Sequence, residues 1–186
     1  GAIEHCFSEH HELFIHDPVR GTALEHVTSN CEMAYIAVPT PSNKDGTCDT
    51  SIVEEILSEL PDDFIAVIKS TVIPGTTEKL QQKYPNLKLA YSPEFLVERT
   101  RLEDFANQRI LVIGTQHVDV ANLILLQHKQ AGVLVEDNVF NISSTEAEMV
   151  KYTKNNFYAM KVIFANQMYD ICQKLGIEWS AISEII

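Results

Sequence analysis

Phe64-Ile65-Ala66-Val67-Ile68-Lys69-Ser70-Thr71-Val72-Ile73-Pro74-Gly75-Thr76-Thr77 is the stretch on which the fold turns. Its first five residues are a continuous apolar run, the pattern of a strand buried on both faces of a parallel sheet. Ser70 to Gly75 is turn chemistry, with proline and glycine closing it. Thr76 to Tyr84 then reads as an amphipathic helix, and Leu87-Lys88-Leu89-Ala90-Tyr91 as the next strand. Strand, helix and strand at this spacing make one βαβ unit.

The pattern extends in both directions. Leu13-Phe14-Ile15, Ala34-Tyr35-Ile36-Ala37-Val38 and Ile110-Leu111-Val112-Ile113 are further strand candidates. Ser51 to Leu60, behind Asp49 as a possible N-cap, and Val118 to Lys129 are further helices. The fold class expected is α/β, a doubly wound, mostly parallel sheet. Gly1 to Ser8 reads as the first helix and Glu12 to His16 as the second strand, so the sheet is expected to lack its first strand. The last third differs. Ser143-x-x-Glu146 and Thr145-x-x-Glu148 are overlapping capping-box candidates. Val150, Phe157, Phe164 and Ile171 then recur every seventh residue, with no proline or glycine before Gly176. A helix of about 30 residues spans roughly 45 Å, and its apolar stripe must be covered by a second domain or a partner. The expected domains are residues 1–142 and 143–186.

Composition narrows the function. The 186 residues carry a formal charge of -12, which argues against a nucleic-acid surface. No apolar run approaches the ~18 residues of a membrane span, and the N-terminal sequence lacks the features of a signal peptide. A cytoplasmic protein with free thiols is expected from this. Cys6, Cys31, Cys48 and Cys172 match no zinc or Cys-x-x-Cys spacing, and His10-His11-Glu12 has no second half, so no metal is expected. Asn141-Ile142-Ser143 fits a glycosylation pattern that, without an export signal, is read as chance.

Ligands of doubly wound sheets bind beyond the carboxyl ends of strands. Val38-Pro39-Thr40-Pro41 and Ser70-Thr71 lie there, where hydroxyls and amides can serve a pyrophosphate or a water; ordinary loops have the same composition. Asp17, at the end of the second strand, can accept from both ribose hydroxyls of an adenosine and disfavour a 2′-phosphate; Asp17-Pro18 is equally an ordinary turn start. Arg20 nearby leaves the choice between NAD and NADP open. Tyr91-Ser92-Pro93-Glu94-Phe95-Leu96-Val97-Glu98 sets two carboxylates four residues apart. If Ser92 caps a helical turn with Pro93 in its first position, Glu94 and Glu98 share a face. Crowded carboxylates suit proton transfer; an exposed acidic turn is the competing reading. Lys151 and Asn155 stand at i and i+4 on the long helix, a pair that can hold an oxyanion or belong to a solvated face.

Taken in order, these segments resemble the UDP-glucose/GDP-mannose dehydrogenase family. The carrying residues are Val38-Pro39-Thr40-Pro41, Lys69-Ser70-Thr71-Val72-Ile73-Pro74-Gly75-Thr76-Thr77-Glu78, Ser92-Pro93-Glu94-Phe95-Leu96-Val97-Glu98, Arg109 to Gly114 and Ala147 to Asn166. The resemblance implies a Rossmann-like, NAD-dependent enzyme oxidising the C6 alcohol of a nucleotide sugar to the acid in two hydride transfers. It implies that Thr71 positions a water near the cofactor. Glu94 takes the acid/base steps of thioester hydrolysis, and Glu98 lies near nicotinamide and substrate. Phe95 and Leu96 meet the sugar nucleotide through their backbone. Lys151 and Asn155 stabilise a developing oxyanion and touch the substrate. Asp17, Thr40, Ser70, Thr71 and Glu98 form the implied cofactor set, and residues 143–176 a homodimer helix.

Departures accompany the matches. Arg99 stands where the family more often has a small residue. No Gly-x-Gly-x-x-Gly occurs, and none of the four cysteines falls in the family's Gly-rich nucleophile segment. The chain alone is therefore expected to be inactive and to bind NAD weakly or not at all. Two other readings stay open: a catalytically dead partner or regulatory module, and a dehydrogenase of the 3-hydroxyacid or 6-phosphogluconate type.

Overall fold

A computed structural model describes residues 1–185. Five strands form one sheet in the order β1-β2-β3-β4-β5. They are β1 Met33–Ile36, β2 Ile65–Ile68, β3 Lys88–Tyr91, β4 Leu111–Gly114 and β5 Val139–Ile142. The helices are α1 Ala2–Phe7, α2 Leu24–Thr28, α3 Ser51–Glu59, α4 Thr76–Lys83, α5 Arg101–Ala106, α6 Val118–Gln130, α7 Ser144–Leu175 and α8 Ser180–Ser183. The α/β fold with a long C-terminal helix agrees with the sequence pattern.

Alternation along the strands sorts the core into two faces. Ala66 and Ile68 of β2, with Leu89 and Tyr91 of β3, pack with Val53 and Leu57 of α3, Leu80 of α4 and Ala147 of α7. Val67 and Ala90 point the other way, onto Val120, Ala121 and Ile124 of α6. The continuous apolar runs are thus explained by helices on both faces. A smaller cluster joins Phe7, Phe105, Ala131 and Val133.

β1, β2 and β3 are mutually parallel, as are β4 and β5. β3 and β4 meet antiparallel through the single pair Tyr91↔Gly114. The connection between them, residues 92–110, contains the six-residue α5. Gly114 lies under α7: a Cβ there would stand 2.7 Å from Ala147 Cβ and 2.8 Å from Ser144 Cα, so only glycine admits the helix this close.

One strand expectation fails. Glu12 to His16 is not a strand. A strand needs a ladder partner, and β1 is paired only on its β2 side among the described residues. His16 is held locally instead, its Nδ1 2.7 Å from Thr22 O. The sequence pattern does not predict β5, α2, α5 or α8; each is short and only weakly patterned.

The chain divides into two compact units, Gly1–Lys151 and Tyr152–Ile186. The first contains the sheet. The second contains the rest of α7, which stops at Gly176, a left-handed residue (φ 67°) with Ile177 N donating to Cys172 O at 2.9 Å. Phe157, Met160, Val162, Phe164 and Leu175 are exposed in it. No helix among the described residues is long and apolar enough to cross a membrane.

Candidate active site

Three loops leave the carboxyl ends of β1, β2 and β3, and hydroxyls staple the first two together. Ser70 Oγ donates to Val38 O at 2.7 Å and accepts from Val38 N at 2.9 Å. Thr40 Oγ1 donates to Thr71 O at 2.7 Å. Ser70 and Thr40 are thereby committed to loop geometry, and the half-buried Thr71 is the residue they hold in place.

Glu148 of α7 is completely buried. Its carboxyl accepts from Gly75 N at 2.5 Å, Thr77 N at 2.8 Å and Thr77 Oγ1 at 2.6 Å, capping α4 from outside its own chain segment. Burial pushes its pKa up, against the pull of these hydrogen bonds. This corrects one capping expectation. Ser143 and Glu146 do form the box of α7, with Ser143 N donating to Glu146 Oε2 at 2.8 Å and Glu146 N to Ser143 Oγ at 3.2 Å. Thr145 and Glu148 do not, because Glu148 serves α4. Sequence reasoning missed this role: the local capping pattern concealed a long-range one.

Three residues beyond Glu148, the buried Lys151 meets the third loop. Its Nζ donates to Glu94 O at 2.6 Å and to Glu94 Oε1 at 3.2 Å, and lies 5.8 Å from the Phe95 ring centre. These contacts overturn the helical reading of Ser92 to Glu98. Val97 N, which a helix capped at Ser92 would turn onto Pro93 O, donates instead to Asp104 Oδ2 at 2.8 Å. The Glu94 carbonyl that would accept the next turn's amide is taken by Lys151. Residues 92–97 are consequently irregular, and Glu94 and Glu98 share no helical face. The Glu94 side chain is 27% exposed and bound to Lys151. That of Glu98 is 97% exposed, 3.5 Å from Arg101 Nη1, at the start of a 3-10 turn. Phe95 and Leu96 turn their side chains into different core clusters. Asn155 lies four residues beyond Lys151 along α7, in the second unit.

Lys69 was also missed as a candidate. It directly follows β2, is buried, and its Nζ has no hydrogen-bond partner among the described residues. Burial draws its pKa down to about 8, opposed by the Glu94 charge and assisted by that of Lys151. The only sequence signal is a charged residue directly following an apolar strand.

Asp17 stands at the end of an extended segment. Its Oδ1 accepts from Val19 N at 2.9 Å, and Oδ2 is 3.5 Å from Arg20 Nε. Arg20 is forked onto Glu4 at 2.7 and 3.0 Å, which occupies its charge. A partly exposed carboxylate with a preoccupied arginine suits the ribose end of an unphosphorylated dinucleotide. The cysteines are free thiols, and no metal-holding cluster of His, Cys, Asp and Glu occurs among the described residues.

The model of the UDP-glucose/GDP-mannose dehydrogenase family NAD binding domain matches residues 16–130, and that of the family's central domain residues 145–186. The UDP-glucose 6-dehydrogenase AglM of Haloferax volcanii is 30% identical over 94% of this chain and 45% of its own length. A UDP-glucose 6-dehydrogenase of Rickettsia bellii is 31% identical over 83% of this chain and 37% of its own. Among solved structures, a UDP-glucose dehydrogenase of Pyrobaculum islandicum has a TM-score of 0.76 at 31% identity, covering 88% of this chain and 40% of the other. A GDP-mannose dehydrogenase ternary complex from Pseudomonas aeruginosa shares the fold, with a TM-score of 0.76 at 24% identity. The chain thus spans less than half the length of these relatives. With both family models matched in order along it, the chain belongs to the UDP-glucose/GDP-mannose dehydrogenase family.

Proposed function

We propose that this chain supplies the dinucleotide-binding part and central helix of a cytoplasmic, NAD-dependent nucleotide-sugar 6-dehydrogenase of the UDP-glucose type. The observation that carries the reading is the buried Lys151 bridging α7 to the backbone and carboxylate of Glu94. An ammonium with little water around it is an effective donor to a developing alkoxide. The carboxylate beside it can take or return a proton.

Asp17 would hold the adenosine ribose, and Thr71 would face the cofactor and order a water. Bound NAD supplies the hydride acceptor. Lys151 would stabilise the oxyanion, with Asn155 as its helical companion, and Glu94 would serve the acid/base steps. Ser70 and Thr40 contribute by fixing the loops. Glu98, well exposed here, is kept in the proposal only for the nicotinamide and substrate side. The backbone of Phe95 and Leu96 would meet the sugar nucleotide, since their side chains are anchored elsewhere. The apolar residues exposed on the second unit favour a homodimer formed through residues 143–176.

Calorimetric titration of this chain with NAD tests the cofactor half. With no Gly-x-Gly-x-x-Gly turn in residues 1–186 to cradle a pyrophosphate, weak or undetectable binding is expected, and micromolar affinity contradicts it. Steady-state turnover tests the rest. Expressed within the complete reading frame that encodes it, the segment should support NADH formation with UDP-glucose. Preference for GDP-mannose would reassign the substrate, and inactivity with both would reject the reading.

A further inference from the structure

Three buried polar atoms beneath the Glu94 loop have no hydrogen-bond partner among the described residues: Lys69 Nζ, Ser92 Oγ and His128 Nε2. Their residues are 4%, 0% and 1% exposed. Topology brings them to one level. β2 and β3 pair Val67 with Ala90 and Ile68 with Tyr91, and Ser92 N continues the ladder to Ile68 O at 3.0 Å. Lys69 and Ser92 therefore stand side by side one step past the strands. By alternation they share the face of Val67 and Ala90, which α6 covers.

The ion pair of Lys88 with Asp119, at 2.7 Å, fixes the start of α6 against the start of β3. From Lys88 to Ser92 the strand advances about 13 Å, at ~3.3 Å per residue. From Asp119 to His128 the helix also advances about 13 Å, at ~1.5 Å per residue. His128 accordingly arrives level with Ser92 and Lys69. The Lys69 charge reaches it, and together with burial, the larger cause, draws its pKa down to about 4.

The hydrogen-bonding roles are fixed. His128 Nδ1 lies 2.8 Å from Ile124 O. A carbonyl only accepts, so Nδ1 carries the proton and Nε2 of the neutral ring is a bare acceptor. The Lys69 ammonium has only donors, while the Ser92 hydroxyl can do either. A guest satisfying all three must accept from Lys69 and donate to His128. An anion accepts from Lys69 and Ser92 but meets Nε2 with a second acceptor. A water does both.

We propose that Lys69, Ser92 and His128 form an internal water site beneath the Glu94 loop, which hydrates the Lys69 ammonium within the core. The charged groups acting on Lys69 are Glu94, which favours its cation, and Lys151, which opposes it. Tyr35, on the same side of the sheet, already donates its hydroxyl to Gln127 Oε1 at 2.7 Å. The site adds a third charged residue to the Glu94–Lys151 pair without a direct contact.

Diffraction from crystals of this chain tests the site directly. Solvent density within about 3 Å of both Lys69 Nζ and His128 Nε2 is the expected result. A direct Lys69–His128 or Lys69–Ser92 hydrogen bond, a dry gap, or an anomalous signal from a halide would overturn it. An independent reading comes from titrating the Lys69 amine by lysine-selective NMR in the wild type and in His128→Phe, which fits the surrounding aromatic cluster. Losing the acceptor that orients the water should lower the Lys69 midpoint by about half to one pH unit. An unchanged midpoint overturns the bridge. Ser92→Ala, the smaller perturbation, should lower the midpoint in the same direction if His128→Phe does not fold; an unchanged midpoint in that variant overturns the bridge as well.

Discussion

Replacing Glu148 with alanine should be among the most damaging single changes available in the first unit. The side chain is fully buried and accepts from Gly75 N, Thr77 N and Thr77 Oγ1. The Thr77 hydroxyl can rotate to another acceptor, but two amides cannot. An unsatisfied buried donor costs about 1–3 kcal/mol, so with two amides stranded Glu148→Ala should lose about 2–6 kcal/mol, a large share of a typical domain's roughly 5–15 kcal/mol. Glu148→Gln keeps one oxygen for Thr77 but turns an NH2 toward Gly75 N–H, and should lose less. Urea denaturation followed by circular dichroism measures the totals, and hydrogen exchange at Gly75 and Thr77 locates them. A loss below about 0.5 kcal/mol with unchanged exchange would refute the clamp. The pH dependence provides a further check. Burial raises the folded pKa of Glu148 above its ordinary 4.5. A raised pKa contributes stability below the unfolded value, and that contribution is lost as pH rises through the folded value. The wild type should weaken as pH rises from about 4.5 through the raised folded pKa by an increment that Glu148→Gln lacks.

Other expectations follow from the same geometry. Gly114→Ala should cost about 1–3 kcal/mol by overpacking, because its Cβ would strike Ala147 and the backbone of Ser143 and Ser144; an unchanged urea midpoint would mean α7 can retreat. Glu98→Gln should leave stability within about 0.5 kcal/mol, its side chain being 97% exposed; a larger loss by denaturation would point to a contact the structure does not have. In the complete reading frame, Lys151→Met should lower kcat by about 10²-fold or more with little change in KM; a pure KM effect would make Lys151 a binding residue.

Much of the fold was legible because apolar continuity is a strong signal. Phe64 to Ile68 and Leu87 to Tyr91 became β2 and β3 within a residue, and the uninterrupted stretch to Gly176 became α7. What misled was local patterning without its tertiary context. Leu13 to Ile15 has the composition of a strand, yet composition supplies no ladder partner. Ser92-Pro93 has the composition of a helix start, but Asp104 and Lys151 claim the backbone groups a helix needs. The site was legible as motifs and illegible as geometry. Lys151 and Glu94 stand 57 residues apart in sequence, and only folding brings them together. Ser70 and Thr40 were read as ligand groups from their place after strands, whereas their hydroxyls fasten one loop to another. Glu148 carried a local pattern that pointed to the wrong helix, and Lys69 only the weak signal of a charge after an apolar strand, since what distinguishes both is burial.

The most direct test of the central claim is the stoichiometry of NADH formed when limiting UDP-glucose is supplied to the protein expressed from the complete reading frame encoding residues 1–186. Oxidation of an alcohol to an acid requires two hydride transfers, so the account predicts two NADH per UDP-glucose, abolished in Lys151→Met. No NADH from either UDP-glucose or GDP-mannose, by a folded protein that binds NAD, would contradict it.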